Sequence, residues 1–319
     1  MSGLKKSLHK GQNTGFESFD DCAIYNLDNN NIIIQSLDFF TPIVDDPFTF
    51  GQIAAANSLS DIYAMGGKPL FALNIAGFDP DILPISVLSD IFNGGQDIAN
   101  AAKIPILGGH TVKDKEPKYG MAITGIVDKN HLAKNNNAKE GDVLILTKPL
   151  GIGIISTAIK NNQVDKKTYD QAVNTMITLN DGAKNAMNNF KINACTDITG
   201  YGLLGHLFEM CRGSNITAEI SYNDIPFISN TESLAKEGIV PGGSKKNLNH
   251  IEKNVSFSKQ LLDHQKLMLA DAQTSGGLLI SIPEKDALPL IEQLKNENCL
   301  SYNVIGHIQT KKDKSIYIK

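Results

Sequence analysis

A polar stretch without hydrophobic periodicity divides the 319-residue sequence into two runs of alternating strand-like and helix-like segments. The stretch covers residues 128–142 and reads DKNHLAKNNNAKEGD. Before it, short β-rich segments such as NIIIQSLDFF alternate with segments of helical spacing such as FTFGQIAAANSLSDIYAMGG, and the alternation restarts after it. Such alternation is typical of α/β or α+β domains. The sequence therefore predicts two domains, residues 1–134 and residues 135–319.

Composition and charge exclude several classes of protein. The chain is 41% hydrophobic and 20% charged, with 30 basic and 34 acidic residues and a net charge of −4. Because no dense Lys/Arg block occurs, we expect no nucleic-acid partner and no anionic membrane partner. The first 12 residues are polar and do not resemble a secretory signal, and no apolar run approaches the roughly 20 residues of a membrane span.

The four cysteines are scattered and form no CxxC pair, so neither a disulfide framework nor a structural zinc site is expected. Cys22 alternates with Ile24 at the start of a strand, which is typical of a small buried residue. Cysteine usage of this kind fits a reducing compartment, and we predict a cytoplasmic location.

Several aspartates fall at the ends of predicted elements, beside glycines or small polar residues. Any one of them alone is most often a helix cap or a turn former. If several converge, their repulsion must be neutralised, since two unit charges 4 Å apart repel by roughly 4 kcal/mol at an effective dielectric of 20. Oxygen ligands favour Mg²⁺ over zinc, so convergence would predict Mg²⁺-nucleotide chemistry. These aspartates are Asp20, Asp21, Asp38, Asp197 and Asp271, and a sixth, Asp61, lies on a predicted helix one turn after Asn57, on the same face.

Two glycine-containing segments could hold the phosphates of such a nucleotide. LGGHT (residues 107–111) follows an apolar strand and is predicted as a glycine turn that offers backbone N–H groups and a hydroxyl. KPLGIG (residues 148–153) leads into the N-terminus of a predicted helix, where anions are favoured. Glycine turns more often simply reverse the chain, so both readings stay open.

A third segment, GYGLLG (residues 200–205), matches the dinucleotide-binding pattern GxGxxG, with Glu219 nineteen residues further on. The preceding strand carries polar residues, and Glu219 lies inside a strand rather than at its end. We therefore do not favour a nicotinamide or flavin site. His206 in the following helix is more typical of a packed structural residue, whereas His110 in LGGHT stays open between a structural and a functional role. The sequence contains no GxSxG motif, so a Ser/His/Asp triad is not supported.

Seven segments together, in this order, resemble one family: selenophosphate synthetase, also called selenide, water dikinase. They are FDDCAIYNL, LDFFTPIVDDPFTFGQIAAANSLSDIYAMGGKPL, LGGHT, LTKPLGIG, TDITGYGLLGHLFEMC, VPGGS and DAQTSGGLL. The resemblance runs from about Leu4 to the C-terminus, and the second segment is long and specific.

The resemblance implies a two-domain fold of the aminoimidazole ribonucleotide synthetase type, usually a homodimer whose N-terminal sheets pair. It implies conversion of ATP, selenide and water to selenophosphate, AMP and orthophosphate, with Mg²⁺ as cofactor. The family's metal-binding aspartates correspond to Asp21, Asp61 and Asp197. Its nucleotide contacts correspond to Ser18, Phe19, Asp20 and Asp38, and to Gly109, His110 and Thr111, which are expected to reach the partner subunit's nucleotide.

One part of the family pattern cannot be placed. The family normally carries a glycine-rich segment with a nucleophilic cysteine or selenocysteine and a lysine three residues later, and both are expected upstream of Met1. We therefore assign no catalytic residue in this chain. Our hypothesis is that the chain is a translation product that starts at an internal Met downstream of a selenocysteine codon and that it does not catalyse turnover. A deliberately shortened chain and a native absence stay open, and the DNA upstream of Met1 would distinguish them.

Two other functions stay open. The chain could be an Mg-ATP-binding homologue without catalysis, or another ATP-dependent member of the superfamily, such as a purine-biosynthetic cyclo-ligase. AMP formed only with selenide indicates the dikinase, whereas ADP indicates another superfamily member.

Overall fold

The computed structural model of the chain describes residues 20–319. Within this range, no helix combines the length and the apolar character that a membrane crossing requires. The predicted fold class is confirmed, because the chain forms two β-sheets, each packed with helices.

The first half forms a five-stranded sheet in the order β1-β2-β5-β3-β4, in which all pairs are antiparallel except β3 with β4. Helix α1 packs on one face of this sheet, and α2 packs against α1. The elements are β1 Ala23–Asn26, β2 Asn31–Phe40, α1 Pro47–Ala64, β3 Lys68–Gly77, α2 Ile85–Ala101, β4 Ile106–Val112 and β5 Lys118–Asp128.

The other face of this sheet carries exposed apolar side chains. The register pairs Tyr25 with Ile33, and Leu73 and Leu37 both pair with Ala122, so Tyr25, Leu37 and Leu73 lie on one face. Leu37 is 56% exposed and Tyr25 is 51% exposed. A patch of this kind usually marks an interaction surface.

The second half forms a mixed seven-stranded sheet in the order β7-β10-β6-β11-β8-β12-β9. Its strands are β6 Asp142–Leu146, β7 Ala194–Asp197, β8 Thr217–Ile220, β9 Val255–Phe257, β10 Leu278–Pro283, β11 Asn303–Gln309 and β12 Ile316–Ile318. Its helices are α3 Ile152–Lys160, α4 Lys166–Ile177, α5 Asp181–Met187, α6 Gly202–Ser214, α7 Thr231–Lys236, α8 Gly242–Ile251, α9 Asp263–Leu269 and α10 Glu284–Asn296.

The first sheet ends with β5 at Asp128, and the second begins with β6 at Asp142. We therefore propose that the domain boundary lies where the sequence suggested it, after residue 134. Helix α1 nevertheless contacts α4, α5 and β7 of the second half. The two halves therefore meet along α1, and residues of both can contribute to one site.

Two predicted elements differ from the structure. The spacing of apolar residues over 167–188 predicts one helix, but the structure has two, α4 and α5, because Thr178 leaves the helical conformation with ψ 124°. LGGHT is not a turn but most of the edge strand β4, and a Cβ atom on Gly109 would lie 2.2 Å from the Asn74 backbone oxygen. Glycine at this position therefore permits close pairing of β4 with β3.

Candidate metal and nucleotide site

Three aspartates from distant parts of the sequence converge where the two halves meet. Asp61 lies on α1, Asp21 lies two residues before β1, and Asp197 is the last residue of β7. One carboxylate oxygen from each lies within 4.8 Å of the other two. The cluster therefore takes two ligands from the first half of the chain and one from the second.

Neighbouring hydroxyl groups orient these carboxylates. Thr196 donates to the Asp21 Oδ1 atom at 2.8 Å, and Ser36 donates to the Asp61 Oδ2 atom. The Asp197 carboxylate accepts a hydrogen bond from Ser60, the residue before Asp61. Within residues 20–319, the buried Asp197 Oδ2 atom has no hydrogen-bond partner. A buried carboxylate oxygen in this condition is costly unless a ligand or a cation contacts it.

Burial and mutual repulsion make the charged form of the cluster unfavourable. Burial raises the pKa of Asp21 and of Asp61 well above the usual range, and the charge of Asp197 raises both further. Burial also raises the pKa of Asp197 to about 6, which the Ser60 hydrogen bond partly offsets. Three converging carboxylates, one buried and two half-buried, offer only oxygen donors and fit a hard divalent cation such as Mg²⁺, because the cation cancels the repulsion.

Asp38 lies beside the cluster, on the α1 side of β2. Its Oδ2 atom accepts a hydrogen bond from the Asn57 Nδ2 atom at 3.0 Å, and its backbone oxygen accepts one from Ser58 at 3.1 Å. Its charge contributes to the raised pKa of Asp61. Burial raises the pKa of Asp38 itself. The structure therefore brings together four of the predicted site residues, namely Asp21, Asp38, Asp61 and Asp197.

The other predicted nucleotide contacts differ in position. The Asp20 Oδ1 atom lies 3.5 Å from the Asn135 backbone nitrogen, beside the cluster residue Asp21. Ser18 and Phe19 lie outside the described residues.

Gly109, His110 and Thr111 lie on β4, which β5 and β3 separate from β2. Three strand spacings correspond to about 14 Å, so these residues do not join the cluster of their own chain. His110 pairs with Ile75, which pairs with Gly120, the partner of Phe39. This register places His110 on the exposed apolar face of the sheet, where a partner subunit would lie.

The structure does not support the KPLGIG segment as an anion site. The amide groups of Gly151 and Ile152 both donate to the Gln273 Oε1 atom at 3.1 Å, and the Ile154 amide donates to the Asp271 Oδ2 atom at 3.1 Å. The N-terminus of α3 is therefore already occupied by side chains of the DAQTSGG segment. Asp271 is part of this packing, and burial raises its pKa to about 7.

The dinucleotide reading of GYGLLG is also not supported. Strand β7, which precedes this segment, is an edge strand that pairs antiparallel with β10, whereas a dinucleotide-binding unit needs a parallel neighbour. His206 accepts a hydrogen bond from the Thr199 amide at 3.2 Å, and burial lowers its pKa to about 4. His206 is thus a neutral, packed residue, as its helical setting suggested. Cys22 is buried as predicted, with 6% exposure.

Comparison with known proteins agrees with this architecture. Residues 19–127 match the family model "AIR synthase related protein, N-terminal domain", and residues 139–319 match "AIR synthase related protein, C-terminal domain". The chain is 49% identical over 314 residues to "Selenide, water dikinase" of Myxococcus xanthus, covering 98% of this chain and 89% of that protein. The chain belongs to the selenide, water dikinase family. "Selenide, water dikinase 2" of Peptoclostridium acidaminophilum is 46% identical, over 100% of this chain and 91% of that protein.

Solved structures outside the selenide, water dikinase family share the fold at low sequence identity. The thiamine-monophosphate kinase of Stenotrophomonas maltophilia superposes with a TM-score of 0.71 at 16% identity, covering 97% of this chain and 92% of that one. A chain of the HypE–HypF complex superposes with a TM-score of 0.72 at 17% identity, covering 96% and 92%. These likenesses show that the family's fold is shared with other proteins.

Proposed function

We propose that this chain uses ATP to convert selenide and water to selenophosphate, with release of AMP and orthophosphate. Relatives at 42–49% identity that bear the name selenide, water dikinase support this reaction. The observation that carries the proposal is the convergence of three aspartates from both halves of the chain within 4.8 Å, with Asp197 buried and Asp21 and Asp61 half-buried. We also propose a cytoplasmic location, which the scattered, unpaired cysteines support.

In this proposal, Asp21, Asp61 and Asp197 hold Mg²⁺, and Asp20 and Asp38 contact the nucleotide together with Ser18 and Phe19. When bound there, Mg²⁺ would supply positive charge that offsets the negative charge of the phosphates during phosphoryl transfer. The protein's own contribution is to hold these four carboxylates in place through Thr196, Ser36, Ser60 and Asn57 before the nucleotide arrives. Such preorganisation is most of what phosphoryl transfer asks of a protein.

Because no residue of this chain could be assigned as the family's nucleophile, the reaction is tested on the protein expressed with any in-frame coding segment upstream of Met1, incubated with ATP, Mg²⁺ and selenide under anaerobic conditions and followed by phosphorus NMR. We expect selenophosphate and AMP, and no AMP when selenide is omitted. Asp197→Asn should abolish the reaction, whereas Asp90→Asn, which removes an exposed carboxylate on α2, should leave it unchanged.

Two results would contradict the proposed reaction. Mg-ATP binding without AMP formation would indicate a homologue that binds nucleotide but does not catalyse. ADP as the product would indicate another ATP-dependent activity of the superfamily.

We further propose that two chains pair through the exposed face of the first sheet. The large apolar side chains on this face support the proposal, as does the position of His110 on it. In such a dimer, Gly109, His110 and Thr111 would contact the partner subunit's nucleotide.

We expect Leu37→Asp to convert the dimer to a monomer, because it would bury a carboxylate in an apolar interface. Leu37 is 56% exposed in the single chain. Sedimentation velocity should give twice the 34.6 kDa chain mass for the wild type and the single mass for the variant. Leu288→Asp is the matched control, because Leu288 is 75% exposed on α10, outside the first sheet. A wild type that sediments as a monomer, or a Leu37→Asp variant that remains dimeric, would contradict this interface.

A further inference from the structure

Lys148 is a buried lysine that the family resemblance leaves without a role. It follows β6 closely and is 2% exposed. Its ammonium group donates to two backbone carbonyl oxygens, that of Thr178 at 2.6 Å and that of Ser275 at 2.8 Å. These carbonyls belong to two different loops: Ser275 lies in the first, the turn before β10, and Thr178 lies in the second, the break between α4 and α5. One side chain therefore joins β6 to two loops that are distant in the sequence.

The first of these loops leads to Asp38. The amide of Ser275 donates to the Asn57 Oδ1 atom at 2.8 Å, and the Asn57 Nδ2 atom donates to Asp38 at 3.0 Å. Asn57 lies one helical turn before Asp61 on α1. The turn that Lys148 holds is thus bonded directly to the helix that carries one cluster aspartate, and through Asn57 to the aspartate beside the cluster.

The second loop leads to Asp197. Two residues after Thr178, the Asn180 side chain donates to the Gly276 backbone oxygen at 2.8 Å and to the Ser60 Oγ atom at 2.9 Å. Ser60 in turn bonds the Asp197 carboxylate. Both loops held by Lys148 therefore end on α1, at residues that contact the aspartates.

The turn before β10 is also packed between Lys148 and the strand that carries Asp197. A Cβ atom on Gly277 would lie 2.4 Å from the Lys148 backbone nitrogen, and one on Gly276 would lie 2.0 Å from the oxygen of Ile198, the residue after Asp197. The two glycines therefore allow the turn to touch both segments. A displacement of this turn would move Asp197 relative to α1.

Retaining an ammonium group at this position has a cost in stability. Burial lowers the pKa of Lys148 to about 7, and the charge of Asp197 opposes that change. An apolar side chain of similar length would fill the space without desolvating a charge. Packing alone therefore does not account for Lys148, whereas its two hydrogen bonds do.

We propose that Lys148 is a positioning residue that fixes two loops of the second half against α1, so that Asp197 meets Asp21 and Asp61 at one metal ion. The inference rests on the proposed metal site and assigns Lys148 no contact with substrate. Loss of residues that orient metal ligands commonly weakens metal binding 10- to 100-fold. Because Lys148 acts through intervening groups, we expect a loss of about tenfold.

The test measures Mn²⁺ binding to the full chain by calorimetry and electron paramagnetic resonance, well below the melting temperature of each protein. We expect Lys148→Met to bind Mn²⁺ about tenfold more weakly than the wild type. Asn180→Ala removes the hydrogen bonds from Asn180 to Gly276 and Ser60, which form the second connection, and should cost less stability than Lys148→Met. It should also weaken Mn²⁺ binding. If Lys148→Met does not fold, Asn180→Ala decides the result.

Ser281→Ala is the matched control for general loss of stability. Ser281 is fully buried on β10 of the same sheet and donates to Asp142 at 2.7 Å, at the opposite end of β6 from Lys148. It should lower the melting temperature while leaving Mn²⁺ affinity within twofold of the wild type. Wild-type affinity in the foldable Lys148→Met and Asn180→Ala variants would overturn the inference, and so would an equal loss of affinity in Ser281→Ala. A wild type that binds no Mn²⁺ would instead contradict the proposed metal site.

Discussion

The Asp61→Asn variant is expected to bind ATP with Mg²⁺ at least about 100-fold more weakly than the wild type. Loss of a residue that merely orients a metal ligand weakens binding by up to about 100-fold, and Asp61 is itself a proposed ligand. Asp61 lies between the other members of the site: its raised pKa reflects burial first and then the charges of Asp197, Asp38 and Asp21. Asparagine keeps the shape of the side chain, and its carbonyl oxygen can still accept the hydrogen bond from Ser36. The substitution therefore removes the negative charge with little change in packing.

Calorimetry with a non-hydrolysable ATP analogue measures this effect separately from turnover. The titration is done with Mg²⁺ and with EDTA, for the wild type, Asp61→Asn and the exposed-site control Asp90→Asn. We expect tight binding for the wild type and the control only when Mg²⁺ is present. Binding by Asp61→Asn within threefold of the wild type would mean that the carboxylate cluster does not hold the metal that bridges the phosphates.

The convergence of the aspartates could be anticipated from sequence because each lies at the end of a strand or on a helix face that periodicity defines. Asp197 ends β7 as predicted, and Asp61 lies four residues after Asn57 on α1. The family resemblance then selected three of the six aspartates as metal ligands. Asp271 stood outside that set, and in the structure it accepts a hydrogen bond from Ile154 at the N-terminus of α3.

The connections that hold the site together could not be predicted in this way. Lys148 bonds backbone oxygens 30 and 127 residues away, and any residue type can supply a backbone oxygen. The break between α4 and α5 was missed because α5 begins only three residues after Thr178, so helical spacing continues across the gap. LGGHT was taken for a turn because its glycines are typical of turns, whereas here Gly109 permits a close approach of two strands. These features depend on which segments become neighbours, which local sequence does not determine.

Without divalent metal, the Asp197→Asn variant is expected to be more stable than the wild type above about pH 6. The folded-state pKa of Asp197 is raised from the usual 3.8 to about 6, mainly by burial. A carboxyl group of this kind contributes stability while it is protonated and loses that contribution as the pH rises through the folded-state pKa. A rise of about 2 in the pKa corresponds to roughly 3 kcal/mol, which is lost between about pH 4 and pH 6.

Melting temperatures of both metal-free proteins from pH 5 to pH 8 test this expectation. At roughly 2–4 °C per kcal/mol, the variant should melt at least about 6 °C above the wild type at pH 8, and the difference should shrink as the pH falls toward 5. Other buried groups with shifted pKa values, such as His206 and Asp271, also make stability depend on pH in this range. They occur in both proteins, so their contributions to the difference in melting temperature largely cancel.

Saturating Mg²⁺ should reverse the order of the two proteins at pH 8. A ligand present at 1,000 times its dissociation constant stabilises the protein that binds it by about 4.1 kcal/mol, which exceeds the roughly 3 kcal/mol advantage of the metal-free variant, and only the wild type keeps all three carboxylates. If the difference in melting temperature between wild type and variant stays constant from pH 5 to pH 8, then folding does not raise the pKa of Asp197. A variant that is more stable than the wild type without metal and less stable with metal shows the opposite: burying the charged Asp197 carboxylate is a cost of folding that the bound cation offsets.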